Sequence, residues 1–449
     1  MERKGDLTTG SVLSRLIGFA VPFLCASFMQ AFYSAVDMWT VGHFSASSDL
    51  AAVNVGSQVL TIVTCIIIGL SMGATVRIGF AVGAKDDELA GKAVGSTVRI
   101  FIVLAAIFTP VMIIFAGPIA SLIQTPQEAL ESAKIYIRIC GIGIPFIVSY
   151  NVISAVLRGD GNSKMPMAFV AVACVFNIAG DLILTGALGM GVKGVAISTI
   201  SAQLIASAAG LIYLKKKGLS FPVTRRIFKN IGSQTKDVLR IGIPIAAQDT
   251  LTNISFVAIT VIANLRGITD ADAVGIVEKL IYLMFLFPSA MMSALSAFVS
   301  QNIGADRPER ARQALKYGTI IAAAFGILLC AISQPFNEQL AGIFTNDPAV
   351  IISAGQYLRT YSIDCFAAAF VFCINGYLCG IERTWIVFFH STFTALAIRV
   401  PLAYVLSVSS PDSMLPMGLA PPVGSAVSVV ICVIYIALVK KKKGSLIAK

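Results

Sequence analysis

The chain has 449 residues, of which 57% are apolar and only 13% charged, and its mean hydropathy is +0.84. A soluble globular chain carries about 25% charged residues, so this one lacks the polar surface to stay dissolved: it reads as an integral membrane protein, and soluble enzymes are excluded. The formal net charge of +11 falls in short clusters between apolar runs, which is the pattern of membrane topology and not of a nucleic-acid surface.

A spanning helix needs about 20 mostly apolar residues. In chain order twelve stretches qualify, near 13–39, 50–80, 94–120, 130–157, 165–186, 192–214, 238–265, 273–302, 315–336, 350–379, 385–408 and 418–439. The first follows the polar segment 1–10, and no small-residue cleavage site closes a short apolar core, so a removed signal peptide is not expected. The expected fold is all-α, with twelve transmembrane helices.

Basic residues orient the spans. The N-terminal segment carries Arg3, Lys4 and Arg15, and the even-numbered connections carry Lys85, Lys92, Arg158, Lys164, Arg307, Arg310, Arg312, Lys316 and Arg383. The central connection adds Lys215, Lys216, Lys217, Arg225, Arg226, Lys229, Lys236 and Arg240, and the C-terminal segment Lys440 to Lys443 and Lys449. Against these, the odd-numbered connections and their margins hold only Lys134, Arg138, Lys193 and Arg266. Cytoplasmic loops collect Lys and Arg, so both termini and the central connection are expected in the cytoplasm, and the chain in the plasma membrane.

The halves are related in sequence. Gly83, Ala84, Glu88, Ala90 and Ala93 recur 221 positions later as Gly304, Ala305, Glu309, Ala311 and Ala314; Tyr136, Arg138 and Gly159 recur as Tyr357, Arg359 and Gly380; Pro22 recurs at an offset of 222 as Pro244. Six spans per half is an even number, so both halves enter the membrane in the same sense, and a pseudo-two-fold axis along the membrane normal is expected. The expected organisation is a six-helix bundle over 1–214, a basic cytoplasmic linker over 215–237 and a second six-helix bundle over 238–449, with a cavity between the bundles. That is the plan of an alternating-access transporter.

Ionisable side chains at bilayer depth are expensive and need a reason. In the first span Gln30, Tyr33, Ser34 and Asp37 have the i, i+3, i+4, i+7 spacing of one helical face, about four turns after Pro22, which removes a backbone hydrogen bond and offers a kink. Asn177 and Asp181 share a face of the fifth span. Asp37 and Asp181 either line a cavity or cap helix ends in the headgroup layer. In the second half Asp249 lies beside Gln248 and before Thr252 and Asn253, a polar face suited to a substrate cavity. Asp364 and Arg399 are expected to form a structural ion pair. Glu278 and Lys279 of the eighth span carry no assignment.

Other signals exclude chemistry. The nine cysteines are odd in number and scattered through apolar stretches without metal-ligand spacing, and His43 and His390 have no ligand partners at useful spacing. Gly141-x-Gly143 and the Gly186–Gly191 run lack a preceding strand and an acidic or Lys partner, and no P-loop occurs. No resident metal or cofactor is expected.

The residues that carry a family resemblance are Pro22 with Val36-Asp37 and Val41-Gly42-His43, Leu157-Arg158-Gly159-Asp160-Gly161-Asn162-Ser163-Lys164, Asn177-x-x-x-Asp181, and Gln301-Asn302-Ile303-Gly304-Ala305. With the six-plus-six repeat, they make the chain resemble the multidrug and toxic compound extrusion (MATE) family along essentially its whole length, closest to the DinF-like branch. The resemblance implies a V-shaped pair of bundles, a monomer, that exports cationic amphipathic small molecules in exchange for H⁺ or Na⁺. It implies coupling at Asp37, Asn177, Asp181 and Thr199, with Na⁺ held by the first three if sodium is the ion, and places Tyr136 and Asn151 nearby in the substrate cavity. Where another branch has a Glu on the seventh span, eight residues after its Pro, this chain has Thr252. Two other transporter types share parts of the pattern. A lipid or oligosaccharide flippase would line its cavity with more cations. A major-facilitator transporter matches Asp306-Arg307-Pro308-Glu309-Arg310, but the first-half loop Lys85-Asp86-Asp87-Glu88 lacks the Asp-Arg pair.

Overall fold

The computed structural model describes residues 5–222 and 232–443, with side chains to 438. Arg3, Lys4, Arg225, Arg226, Lys229, Lys449 and the side chains of Lys440 to Lys443, counted above for topology, lie outside the described residues. All regular structure among the described residues is helical. The first half holds α1 (Val12–Phe44), α2 (Ser47–Gly83), α3 (Asp87–Ile114), the short α4 (Ala116–Leu122), α5 (Gln127–Gly159), α6 (Lys164–Gly180) with a π-helical continuation (Asp181–Ala187), and α7 (Val192–Lys217). The second holds α8 (Gly232–Asn264), α9 (Ile268–Gly304), α10 (Pro308–Ser333), the short α11 (Asn337–Gly342), α12 (Pro348–Tyr361), α13 (Asp364–Gly380), α14 (Thr384–Phe393), a π-helical turn (Thr394–Arg399), α15 (Val400–Ser409) and α16 (Ala420–Lys443).

Eleven helices among the described residues are long and apolar enough to cross a membrane, and α12 with α13, bent by 48°, makes the twelfth. Several expected boundaries move, those of the third and ninth spans furthest. The third span starts at Asp87 and not near 94, because Asp86 caps it: its carboxylate accepts the Leu89 N–H at 2.8 Å. It stops at Ile114, where Phe115 leaves helical geometry and α4 begins. The ninth span starts at Pro308, which fits the first turn because it has no N–H to satisfy there. Both early turns are charged, so an apolar window sees these helices begin late.

The repeat is visible in local geometry. Lys85 and Asp306, and Gly161 and Glu382, adopt the left-handed conformation (φ 57°, 54°, 85° and 59°) 221 positions apart. The Ser132 hydroxyl donates to Asp49 at 2.9 Å, and Ser353 donates to Asp270, its counterpart, at 2.5 Å. Gly159 lies against Ile78 and the Thr75 carbonyl, and Gly380 against Val299 and the Ser296 carbonyl, so a Cβ at either would sit within 3 Å of its neighbour. Such small-residue contacts let helices approach where lipid supplies no hydrophobic drive.

The chain divides into two compact units, the first holding residues to Gly10 and Ile17–Ala246, the second Ser11–Leu16 and the chain from Ala247. The division falls inside α8. Its first turns belong to the first unit because Gly69 and Gly73 of α2 meet Gly242 and Ala246 backbone to backbone, with Cβ positions 2.5–2.8 Å from the opposing atoms. Arg77 fixes the crossing, donating to Gln234 at 2.7 Å and pairing with Asp237 at 3.1 Å. The core of the first unit is built on Ile67, Phe101, Tyr136, Ile137 and Ile144, and that of the second on Tyr357, Tyr361, Ile281, Leu358 and Met417.

Candidate coupling site

In the first unit, α1 runs unbroken through Pro22 and carries Asp37 inward, where the carboxylate is 8% exposed. Asn177 and Asp181, both fully buried, come from the end of α6 and the start of its π-helical continuation. Asp37 lies beside Asp181 and Asn177. The site is held open by what α7 presents: the Ser198 hydroxyl donates to the Asn177 carbonyl at 2.6 Å and accepts from its Nδ2 at 3.3 Å. This close approach needs Gly180, since a Cβ there would be 2.7 Å from Ser198 Oγ. A π-turn inserts an extra residue per turn and recurs at functional positions; here it starts at Asp181 itself.

The consequence is a group of oxygens with no donors. Asp37 Oδ1, Asn177 Oδ1 and both Asp181 oxygens are buried and accept no hydrogen bond. Buried polar atoms are nearly always paired, and two carboxylates in a low-dielectric pocket cannot both keep a full negative charge cheaply. Four such oxygens on neighbouring side chains suit a hard cation or a proton.

The remaining sequence candidates are placed unevenly. Tyr33 turns toward Gln203, Tyr150 and Cys174; Gln30 is half-buried, but Ser34 is exposed, so the four-residue stripe splits. Thr199 is buried, with its hydroxyl proton on the Val195 carbonyl at 2.9 Å. The Asn151 amide donates to the Ile147 carbonyl at 2.8 Å. Tyr136 sits in the hydrophobic core against Gly56, its hydroxyl 3.3 Å from Ser57 Oγ.

In the second unit, Gln248 Oε1 is buried without a donor and Asp249 lies near Cys379, whereas Asn253 is exposed and donates to the Asp249 carbonyl at 2.8 Å. The expected ion pair between Asp364 and Arg399 is not made. The Arg399 guanidinium is held over the Phe256 ring, 5.3 Å from its centroid, and neither its Nε and Nη1 nor either Asp364 oxygen has a hydrogen-bond partner. The two groups are neighbours, with Glu278, Tyr357 and Tyr361 facing them.

His390, which the sequence offers no partner at useful spacing, has two in the structure. It is buried, with Nδ1 2.7 Å from Ser428 Oγ and Nε2 2.9 Å from Asn375 Oδ1. Asn375 Oδ1 only accepts, so it fixes the proton on Nε2 and leaves Nδ1 to accept from Ser428. The two partners come from two other spans, α13 and α16, so no spacing along one helix reveals them. Ser198 and Gln203 escaped for the same reason.

Twelve candidate spans in two sequence-related sets of six, with donorless carboxylates buried inside them, define a multi-pass membrane transporter. The MatE family model matches the chain twice, over residues 22–183 and 244–405, so its copies stand 222 positions apart at both ends and cover well over half the chain. The chain belongs to the MatE family, whose members are transporters and not enzymes. It is 27% identical over 434 residues to the probable multidrug resistance protein YoeA of Bacillus subtilis (strain 168), covering 95% of this chain and 93% of that protein. It is 28% identical over 413 residues to the probable multidrug resistance protein NorM of Thermotoga maritima, covering 88% of this chain and 86% of that one. Its fold is that of the crystal structure of MATE in the straight conformation, with a TM-score of 0.93 at 22% identity over 98% of this chain and 100% of that chain.

Proposed function

We propose that this chain is a secondary multidrug antiporter of the plasma membrane, working as a monomer with both termini in the cytoplasm. It exports cationic amphipathic compounds in exchange for H⁺ or Na⁺ by alternating access. The observation that carries this reading is the set of four donorless oxygens on Asp37, Asn177 and Asp181, which loses its electrostatic cost when a cation or proton enters. Family membership and the names of the relatives support drug export.

The first unit does the coupling in this reading. With its carboxylates ionised, the pocket offers a counter-charge to a drug cation; with an ion or proton bound, that counter-charge is gone. The first helix can then bend at Pro22, where the Gly18 carbonyl has no N–H to accept from, and reshape the drug site lined by Gln30, Tyr33 and Ser34. Coupling requires only that the ion bind better to the drug-releasing state than to the drug-loading one. Gln248, Asp249 and Asn253 contribute to drug binding in the second unit.

Purified protein in proteoliposomes, loaded with a fluorescent lipophilic cation and given an imposed pH or Na⁺ gradient, tests the reading. Export driven by one gradient and abolished in Asp37→Asn is the expected result. Export that follows neither gradient overturns antiport, and wild-type export by Asp37→Asn overturns the site.

A further inference from the structure

The two family matches stand 222 positions apart, and that offset carries Asn177 onto Arg399. Where the first unit sets an uncharged amide beside Asp37 and Asp181, the second sets a permanent cation near Asp364 and Glu278. The surroundings of Arg399 are polar on several sides. Glu278 comes from α9, Tyr357 and Tyr361 from α12, and Asp364 from the first turn of α13, just past the 48° bend. Ser425 of α16 lies beside Asp364, and α8 contributes Phe256 and Thr260 but no titratable group.

Arg399 does not behave as a fastener. A structural arginine spends its planar fork on matched acceptors, and the same unit contains one: Arg266 donates to Asp270 at 2.7 Å and to the carbonyls of Ser407, Ser410, Pro411 and Ser413 at 2.7, 3.1, 2.8 and 3.3 Å. Arg399 instead leaves Nε and Nη1 without acceptors, while Asp364 Oδ1 and Oδ2, Glu278 Oε1 and the Tyr361 hydroxyl are equally without partners. What Arg399 supplies to this cluster is its charge. Like the first-unit site, the cluster has buried donorless carboxylate oxygens; unlike it, the cation that offsets them is covalently attached.

We propose that Arg399 is a tethered cation that takes the place of an exchangeable ion in the second unit, so that the Asp364–Glu278 cluster stays compensated through the cycle and binds neither Na⁺ nor an extra proton. Confinement of coupling to the first unit then follows, and that second half rests on the function proposed above.

Thermal unfolding of the purified protein separates the two. In an Asp37→Asn background, melting is compared in sodium chloride and in choline chloride of equal ionic strength, at neutral and at acid pH. The background variant is expected to melt at the same temperature in both salts. Adding Arg399→Asn, which installs the first unit's residue, should lower Tm by several degrees in choline at neutral pH, with recovery in sodium or in acid. Adding Asp364→Asn as well should erase that ion response. Arg399→Lys keeps the charge and should match the background. Should Arg399→Asn fold too poorly in choline, recovery of monodisperse protein on purification in sodium or acid is the same result in another form. An Arg399→Asn variant that melts like the background without ion dependence overturns the proposal, as does one that neither sodium nor acid restores. Failure of the coupling reading would appear instead as gradient-driven export by Asp37→Asn itself.

Discussion

Asp37→Asn preserves volume but carries no ionisable group, so it removes one of the two negative charges the first-unit site can hold. It should fold normally and lose gradient-driven export, and Asp181→Asn should behave alike. The double variant should be little worse than either single, because residues acting as one unit are non-additive; export rates in proteoliposomes check this, and simple additivity would separate the two residues. Asp249→Asn should do less harm, since Asp249 stands beside Cys379 and not against a second carboxylate. His390 makes a different case. His390→Ala would leave Asn375 Oδ1 and the Ser428 hydroxyl buried without partners, at a cost of about 1–3 kcal/mol, read as a lower Tm in detergent. The acids were legible in the sequence because charge at membrane depth is conspicuous against so apolar a chain. Arg399 was legible as a residue but not in its geometry, because opposite charges invite the reading of an ion pair and only the side-chain path over Phe256 shows otherwise.

The helices were legible at their apolar middles and misjudged at their ends, where caps and charged turns extend them past any hydropathy window. The bend between α12 and α13 and the π-turns at Asp181–Ala187 and Thr394–Arg399 lie within apolar runs that a hydropathy window reads as continuous helix. The packing of α2 on α8 gives an element-scale prediction. At Gly73 a Cβ would meet the Gly242 nitrogen and the Val238 carbonyl at 2.7 Å, both backbone atoms that cannot swing aside. Gly73→Ala should therefore push the helices apart and cost about 1–3 kcal/mol. Gly18→Ala, in a helix where a Cβ would meet nothing within 4 Å, should be neutral or stabilising by up to about 1 kcal/mol. Tm measured side by side decides it: equal losses at the two glycines would show that helix propensity, and not the α2–α8 contact, sets the effect.

For the whole molecule, the even number of spans in each half ties three separate surfaces to two sides of the membrane. Lys215 to Lys217 at the end of α7 are exposed, and the basic bias predicts a cytoplasmic position for them. Ser45 to Ser48 lie between the first two spans and Ser409 to Asp412 between the last two, so both should face outward. Single cysteines at Lys216, Ser48 and Asp412 test all three at once, in a chain whose own cysteines are replaced. Six of the nine native thiols are buried and only Cys25 is exposed; serine is a poor exchange for a buried thiol, so alanine is the better replacement. An impermeant maleimide added to intact cells should label Ser48→Cys and Asp412→Cys and leave Lys216→Cys unlabelled until the membrane is opened. Labelling of Lys216→Cys alone would invert the orientation drawn from the basic residues while keeping twelve spans. Opposite behaviour of Ser48→Cys and Asp412→Cys would be worse for the assignment: an even number of crossings separates neither site from the other, so the bent pair α12–α13 could then no longer be counted as one span.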